Sequence, residues 1–233
     1  AANPASEIER PRVGQTLPKH VLTRQEAERV LAQPDVDTDP GVRDRAILET
    51  LYSTGIRRAE LVNLDRFDLD IGRGCLTVRQ GKGNKDRIIP IGERALDWIN
   101  RYLVDVRPTF LVDAHEEALF INQYGERLSP DALSGRVTAY VDAAHIDKKG
   151  SCHLFRHTMA TLMLEGGADI RFVQQMLGHA SIKATQIYTH VSIQQLKRVH
   201  ELTHPSARRG RLHDDEGDDF DPVLAADDAH DGG

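Results

Sequence analysis

The chain has 233 residues, 39% of them hydrophobic, with a formal net charge of −6 and two cysteines. That length holds one sizeable core plus tails, and no apolar run approaches the length of a membrane span. Two cysteines far apart read as free thiols of a reducing, cytoplasmic setting, and Ala1-Ala2-Asn3-Pro4 lacks the basic and apolar stretches of a secretory signal.

The negative charge is uneven. Between Leu212 and Gly233 there are nine acidic residues and no Lys or Arg, so residues 1–211 carry 30 basic against 27 acidic side chains, a net of +3. A mildly basic body permits a nucleic-acid partner without requiring one, because local patches outweigh the sum.

In chain order, residues 1–22 contain Pro4, Pro11 and Pro18 and no apolar periodicity, which reads as a linker. Thr23-Arg24-Gln25-Glu26 has the form of a capping box and opens the first helix. A second helix starts at Asp39 with Pro40 in its first turn and runs through Ile47, Leu48 and Leu51 to Gly55. A short helix carrying Arg57, Glu60 and Leu61 follows. Between Leu69 and Ile91 the apolar period changes to alternation. Leu76-Thr77-Val78 and Arg87-Ile88-Ile89-Pro90-Ile91 read as strands of a hairpin, with Lys82 near its tip in Gly81-Lys82-Gly83-Asn84. Ala118-Leu119-Phe120-Ile121 is a candidate to extend that sheet. Further helices are predicted over residues 93–106, 130–144, 153–165, 169–177, 181–189 and 192–204. After Pro205 the periodicity stops, and residues 206–233 read as an acidic, disordered tail. The fold class is mainly α with a small antiparallel β-sheet, an α+β arrangement.

One tyrosine and five basic residues stand out by order. Arg57, Lys82, His153, Arg156 and His179 precede Tyr188. A phenol with a pKa near 10 attacks a phosphodiester only if its proton is removed and the phosphate is made electrophilic. Two arginines answer the second need, because each offers a planar, permanently charged fork to the non-bridging oxygens. His153 and Arg156 are three apart and share one helix face. A lysine at a hairpin tip is able to protonate a departing 5′ oxygen. His179 follows Gly178, a natural helix stop, where a cation also favours the helix dipole.

Each residue alone has a plainer reading: a surface salt bridge for the arginines, a solvated lysine, a half-buried core tyrosine beside Ile187 and Val191. The phosphate loop of nucleotide-binding proteins does not fit Lys82, since the spacing Gly-x-x-x-x-Gly-Lys-Ser/Thr is missing. A metal site on Cys152, His153 and His157 is the competing chemistry, but the zinc-protease pattern needs Glu after its first His, and Leu154 stands there.

Together the motifs resemble the tyrosine recombinase (phage integrase) family, most nearly its Xer-type members. The likeness covers roughly Leu17 to Pro205 and rests on Thr54-Gly55-Ile56-Arg57-x-x-Glu60-Leu61, Gly81-Lys82-Gly83-Asn84-Lys85-Asp86-Arg87, His153-Leu154-Phe155-Arg156-His157, Leu177-Gly178-His179 and Thr185-Gln186-Ile187-Tyr188-Thr189-His190. The resemblance implies the DNA breaking-rejoining fold and site-specific DNA recombination. It implies that Arg57 and Arg156 bind the scissile phosphate, Lys82 is the general acid and His153 the general base or hydrogen-bond partner. His179 stabilises the transition state, Tyr188 forms the 3′-phosphotyrosyl link, and Glu60 supports the site from behind.

No metal or nucleotide cofactor is expected, because arginines take the electrostatic role of a metal. The implied partners are double-stranded DNA, placing the chain at the nucleoid, and sister protomers in a tetramer on synapsed DNA. The helix at 192–204, with its stripe of Ile193, Leu196, Val199 and Leu202, is implied to dock in trans. Xer-type enzymes carry a further helical domain before the catalytic one, for which 22 residues have no room. The expectation is therefore a catalytic domain over residues 23–205, with residues 1–22 the linker from a missing N-terminal DNA-binding domain. Type IB topoisomerase-like relaxation is the nearest alternative, and DNA binding without cleavage the next. A lesser reading of the acidic tail has it compete with DNA for the basic face.

Overall fold

The structure is a computed structural model and describes residues 21–79, 86–178 and 193–206. Its first helix, α1 (Arg24–Leu31), begins where the capping box requires. The Thr23 N–H donates to Glu26 Oε2 at 2.7 Å and the Glu26 N–H to Thr23 Oγ1 at 3.2 Å. Helix α2 (Asp39–Thr54) is capped by Thr38, has Pro40 in its first turn and stops at Gly55, whose φ of 61° only glycine adopts without cost. The short α3 (Arg58–Val62) follows at once.

A three-stranded antiparallel sheet comes next, in the order β1 (Leu69–Asp70), β2 (Cys75–Val78), β3 (Arg87–Pro90). Leu76 pairs with Ile89 and Val78 with Arg87, so the hairpin expected around Lys82 has its two arms in register, while its tip lies outside the described residues. Ala118–Ile121 does not extend this sheet, contrary to expectation. It makes only isolated bridges, Asp65 to Ala118 and Ile121 to Arg127, and all four of its side chains are buried. An apolar run without alternation does not mark a half-exposed strand. Here it plugs the core, with the N–H groups of Ala118, Leu119 and Ile121 donating to Glu116 Oε1, Leu64 O and the Tyr102 hydroxyl.

Helix α4 (Glu93–Arg101) runs on past the expected end at Val106, through a π-helical stretch (Tyr102–Val106), into α5 (Arg107–Phe110). Pro108 accounts for the widened turn, because it has no N–H to give the preceding turn and its ring crowds the carbonyl there. Helices α6 (Pro130–Ala143), α7 (Cys152–Glu165), α8 (Ile170–Leu177) and α9 (Ile193–Thr203) complete the described chain.

Helix α2 is the central post, packed by α1, α4, α7 and the π-helical stretch. From Gly41 onward it is buried except at half-buried Arg45, and Arg43, Asp44 and Glu49 are among the buried residues. Burial of those charges is tolerable only because each is paired. Arg43 bonds Asp44, and Glu49 is held by Arg45 and Arg94. Apolar contacts supply the drive, with Ile47, Leu48, Leu51, Phe155 and Met159 each no more than 2% exposed and each fully buried side chain of this kind contributing about 1.5–3 kcal/mol.

Helix α9 packs on its own chain, against β3 and α7. Of the expected apolar stripe, Val199 packs on the core while Leu202 is 58% exposed, and His200 and His204 are buried with their rings stacked 4.9 Å apart. His200 Nε2 donates to Ser53 O at 2.9 Å and His204 Nε2 to Tyr52 O at 2.8 Å. The expected helix at 181–189, the linker up to residue 20 and the tail from residue 207 lie outside the described residues. Among the described residues no helix is long and apolar enough to cross a membrane.

Candidate active site

The ends of α2 and α8 meet over the first turns of α7, and that junction collects arginines. Helix α8 ends at Gly178, whose φ of 63° matches that of Gly55 at the end of α2. An α-helix leaves its last carbonyls without intrahelical donors, and the same end carries the negative pole of the helix dipole. Three guanidinium groups, from β3, from α7 and from the residue that caps α3, take the carbonyls of the last two residues of α8 and of Gly178 just after it. Arg87 Nε donates to Met176 O at 3.0 Å, Arg156 Nη2 to Leu177 O at 2.7 Å and Arg57 Nη2 to Gly178 O at 3.4 Å.

Arg156 projects from α7 and is 6% exposed. Its other terminal nitrogen donates to Gly55 O at 2.7 Å, so one side chain ties the end of α2 to the end of α8. Burial, and after it the neighbouring charge of Arg57, pulls its pKa down to about 10, which still leaves it protonated at neutral pH. A guanidinium has five N–H donors, and two are spent on these carbonyls. The remainder are available to an anion.

Glu60, on α3, sits among the arginines and bonds two of them. Its Oε1 accepts from Arg57 Nη1 at 2.7 Å and Arg87 Nη1 at 3.0 Å, and its Oε2 from Arg87 Nη2 at 2.8 Å and the Arg57 backbone N–H at 2.7 Å. Burial alone would raise the Glu60 pKa. The hydrogen bonds from Arg87, then the Arg57 N–H, override that and hold it at about 2. Within this group of four side chains three positive charges therefore face one negative charge, an excess of two that favours an anionic ligand. The side chain of Arg57 is 26% exposed, so this excess is reachable from solvent.

Of the residues singled out in the sequence, the structure brings Arg57, Glu60 and Arg156 into one cluster. His153 lies one turn before Arg156 on α7 and is exposed. Lys82, His179 and Tyr188 lie outside the described residues. By chain connection, His179 is the residue directly after Gly178, and Lys82 belongs to the loop that joins β2 to β3. The metal reading loses its geometry: Cys152 is buried with its sulfur 3.8 Å from the Ser151 hydroxyl, while His153 and His157 are exposed. Burial, then the charges of His153 and Arg156, lower the His157 pKa. Among the described residues no three His, Cys, Asp or Glu side chains are placed to hold an ion.

Arg87 is the cluster member that the motif reading passed over. The signal was present, because strand alternation puts Arg87 on the same face as buried Ile89 while Ile88 points to solvent. A charge on the inward face of a strand requires a partner.

Comparison with known proteins gives a consistent picture. The chain is 52% identical over 204 residues to the tyrosine recombinase XerC 2 of Ralstonia nicotianae, an alignment that covers 88% of this chain and 58% of that protein. The crystal structure of XerA recombinase superimposes with a TM-score of 0.63 at 36% identity, over 79% of this chain and 65% of that one. A XerH site-specific recombinase bound to its difH substrate, in a pre-cleavage complex, gives 0.61 at 29% identity, over 80% of this chain and 54% of that one. The chain thus spans less than two thirds of each of these proteins. The model of the phage integrase family matches residues 20–195, three quarters of the chain and every motif noted above, and the chain belongs to the phage integrase family.

Proposed function

We propose that this chain is the catalytic domain of a site-specific DNA recombinase, cutting and rejoining DNA through a 3′-phosphotyrosyl intermediate. The observation that carries the reading is the convergence of Arg57, Arg87 and Arg156 on the end of α8, with the carboxylate of Glu60 bonded to Arg57 and Arg87. Such a cluster is built to receive an anion whose charge grows during reaction. The resemblance to XerC 2, XerA and XerH, each spanning the described body, supports the same conclusion.

On this reading the Tyr188 oxygen attacks the scissile phosphorus, its proton passing to a base for which His153 is the candidate. The bond to the 5′ oxygen breaks, Lys82 supplies the proton that makes it a hydroxyl, and the DNA 3′ end stays bonded to the tyrosine. Arg57 and Arg156 take the non-bridging oxygens, where negative charge accumulates, and His179 donates to the same oxygens. Preorganised donors of this kind each contribute about 10²–10³ in rate. A 5′ hydroxyl from a partner duplex reverses the step and exchanges strands. No bond energy is lost, and arginines fill the place of a metal.

Residues 23–205 form the catalytic unit in this proposal, joined to a DNA-clasping domain by the linker before them and followed by the acidic tail; the packed body itself reaches one residue further at each end, since Leu22 and Ser206 are buried. The working assembly is a tetramer on synapsed DNA, in the compartment that holds the chromosome, in keeping with the free thiols of Cys75 and Cys152. Helix α9, seated on its own α2 through two histidines in the single chain, would pass to a neighbour's equivalent seat in that tetramer.

The test is covalent trapping. Nicked duplexes from a genomic fragment pool, in which the 5′ product diffuses away after cleavage, are expected to leave DNA bonded to Tyr188, identified by mass spectrometry of the peptide. Tyr188→Phe is expected to give no adduct. An adduct of equal yield in that variant overturns the assignment.

A further inference from the structure

We infer that Arg87 is a positioning residue for this reaction: by bonding both oxygens of Glu60 it balances that carboxylate, so that Arg57 keeps a net attraction for the phosphate, and through Met176 O it fixes the end of α8. The inference rests on the reading of the cluster as a phosphate site. Arg87 makes the fork-to-fork contact with Glu60, with Nη1 at 3.0 Å from Oε1 and Nη2 at 2.8 Å from Oε2, the geometry in which guanidinium and carboxylate match best. Arg57 touches the same carboxylate through one side-chain nitrogen only. If Arg87 were neutral, Glu60 would have Arg57 as its sole side-chain partner. The two charges would then cancel, and the excess for a ligand would fall from two to one.

The third contact of Arg87 works on the chain itself. Its Nε holds Met176 O at 3.0 Å, and its guanidinium lies 3.0 Å from the point where a Cβ on Gly178 would sit. The strand β3 is thus bolted to the last turn of α8 at Met176, three residues before His179. The same strand is the far arm of the hairpin that carries Lys82. One side chain therefore connects the roots of the Lys82 loop and of the 179–192 segment to the carboxylate that orients Arg57. Arg87 does not need to touch DNA for any of this.

The experiment measures Arg87→Gln and Arg87→Lys in the parent chain and in Glu60→Gln. Two readouts are single-turnover formation of the Tyr188 adduct and binding of inorganic phosphate, followed by ³¹P NMR. Arg87→Gln is expected to slow adduct formation about 10²-fold and to weaken phosphate binding about tenfold, in line with the loss of one preorganised charge. Arg87→Lys is expected to recover about a tenth of the parent rate, since it restores charge without the fork. In Glu60→Gln the further loss on Arg87→Gln is expected to be less than about threefold, because the carboxylate that Arg87 neutralises is gone. A purely structural role predicts the same factor in both backgrounds. Equal factors, or parent-like rates and phosphate affinity in Arg87→Gln, overturn the inference. If no chain forms an adduct but phosphate binding follows the expected pattern, the cleavage reading falls and the positioning role stands. If Arg87→Gln does not fold, Arg87→Lys carries the same comparison.

Discussion

Acid should loosen the seat of α9 well before it reaches any carboxylate of the cluster. Both histidines of that seat are neutral in the native fold, held as Nε2–H tautomers by the carbonyls they donate to, and His204 Nδ1 accepts from the Ser206 N–H at 3.1 Å and bonds its hydroxyl at 2.9 Å. Burial, partly offset by the bond to Ser53 O, lowers the His200 pKa from 6.5 to about 4. Burial, then the proximity of His200, sends His204 the same way. Between about pH 6.5 and 4 the unfolded chain therefore binds more protons than the folded one, so this contribution is whole above pH 6.5 and is lost as pH falls through the window. For His200 alone, the linkage relation gives a loss of about 2 kcal/mol between pH 7.5 and 5.0, and His204 adds to it. Urea unfolding followed by Trp98, the only tryptophan, reads this directly. With a slope of about 2 kcal/mol/M, the midpoint should fall by about 1 M. His200→Gln/His204→Gln keeps N–H donors that do not titrate, and its midpoint should fall far less. Glu49, whose pKa burial raises, responds in the opposite sense but is common to both chains, so their difference isolates the histidines. A parent midpoint that does not move, or an equal fall in the double variant, would refute the reasoning.

Two further outcomes follow from the helix ends. Arg156→Lys removes a fork that spans Gly55 O and Leu177 O, each at 2.7 Å, and one ammonium cannot bridge both while also meeting a phosphate. Single-turnover adduct formation should drop about 10²–10³-fold, and a loss smaller than about fivefold would count against Arg156 in the site. Gly178→Ala meets a φ of 63° and a guanidinium 3.0 Å from its new Cβ, so it should cost about 1–2 kcal/mol of stability, read as a lower melting temperature, and should slow the adduct through Arg87. Gly135→Ala, which has open space around its Cβ, is the control and should raise stability slightly.

What was legible in the sequence follows from how far each signal reaches. Thr23 with Glu26, and Gly55 and Gly178 as stops, speak through contacts within four residues, and the structure has each as expected. Arg57, Glu60 and Arg156 were found through motifs, yet no spacing says that Arg156 and Arg57 share the end of α8. That is decided by α2, α7 and α8 converging, with partners up to 121 residues apart. The seat of α9 and the arginine cluster have one physical source, because the ends of α2 and α8 present carbonyls that nothing in their own helices can satisfy. A buried carbonyl left alone costs about 1–3 kcal/mol, as much as burying a leucine gains. Side chains able to donate therefore win those positions: His204 at Tyr52 O, His200 at Ser53 O, Arg156 at Gly55 O, and Arg87, Arg156 and Arg57 in turn along α8. The same demand that seats α9 with histidines gathers the arginines. The charge excess of the site is thus a by-product of closing two helices, placed where a neutral cap would have closed them equally well. Only the arginines add, to the same closure, the positive charge that a phosphate would need.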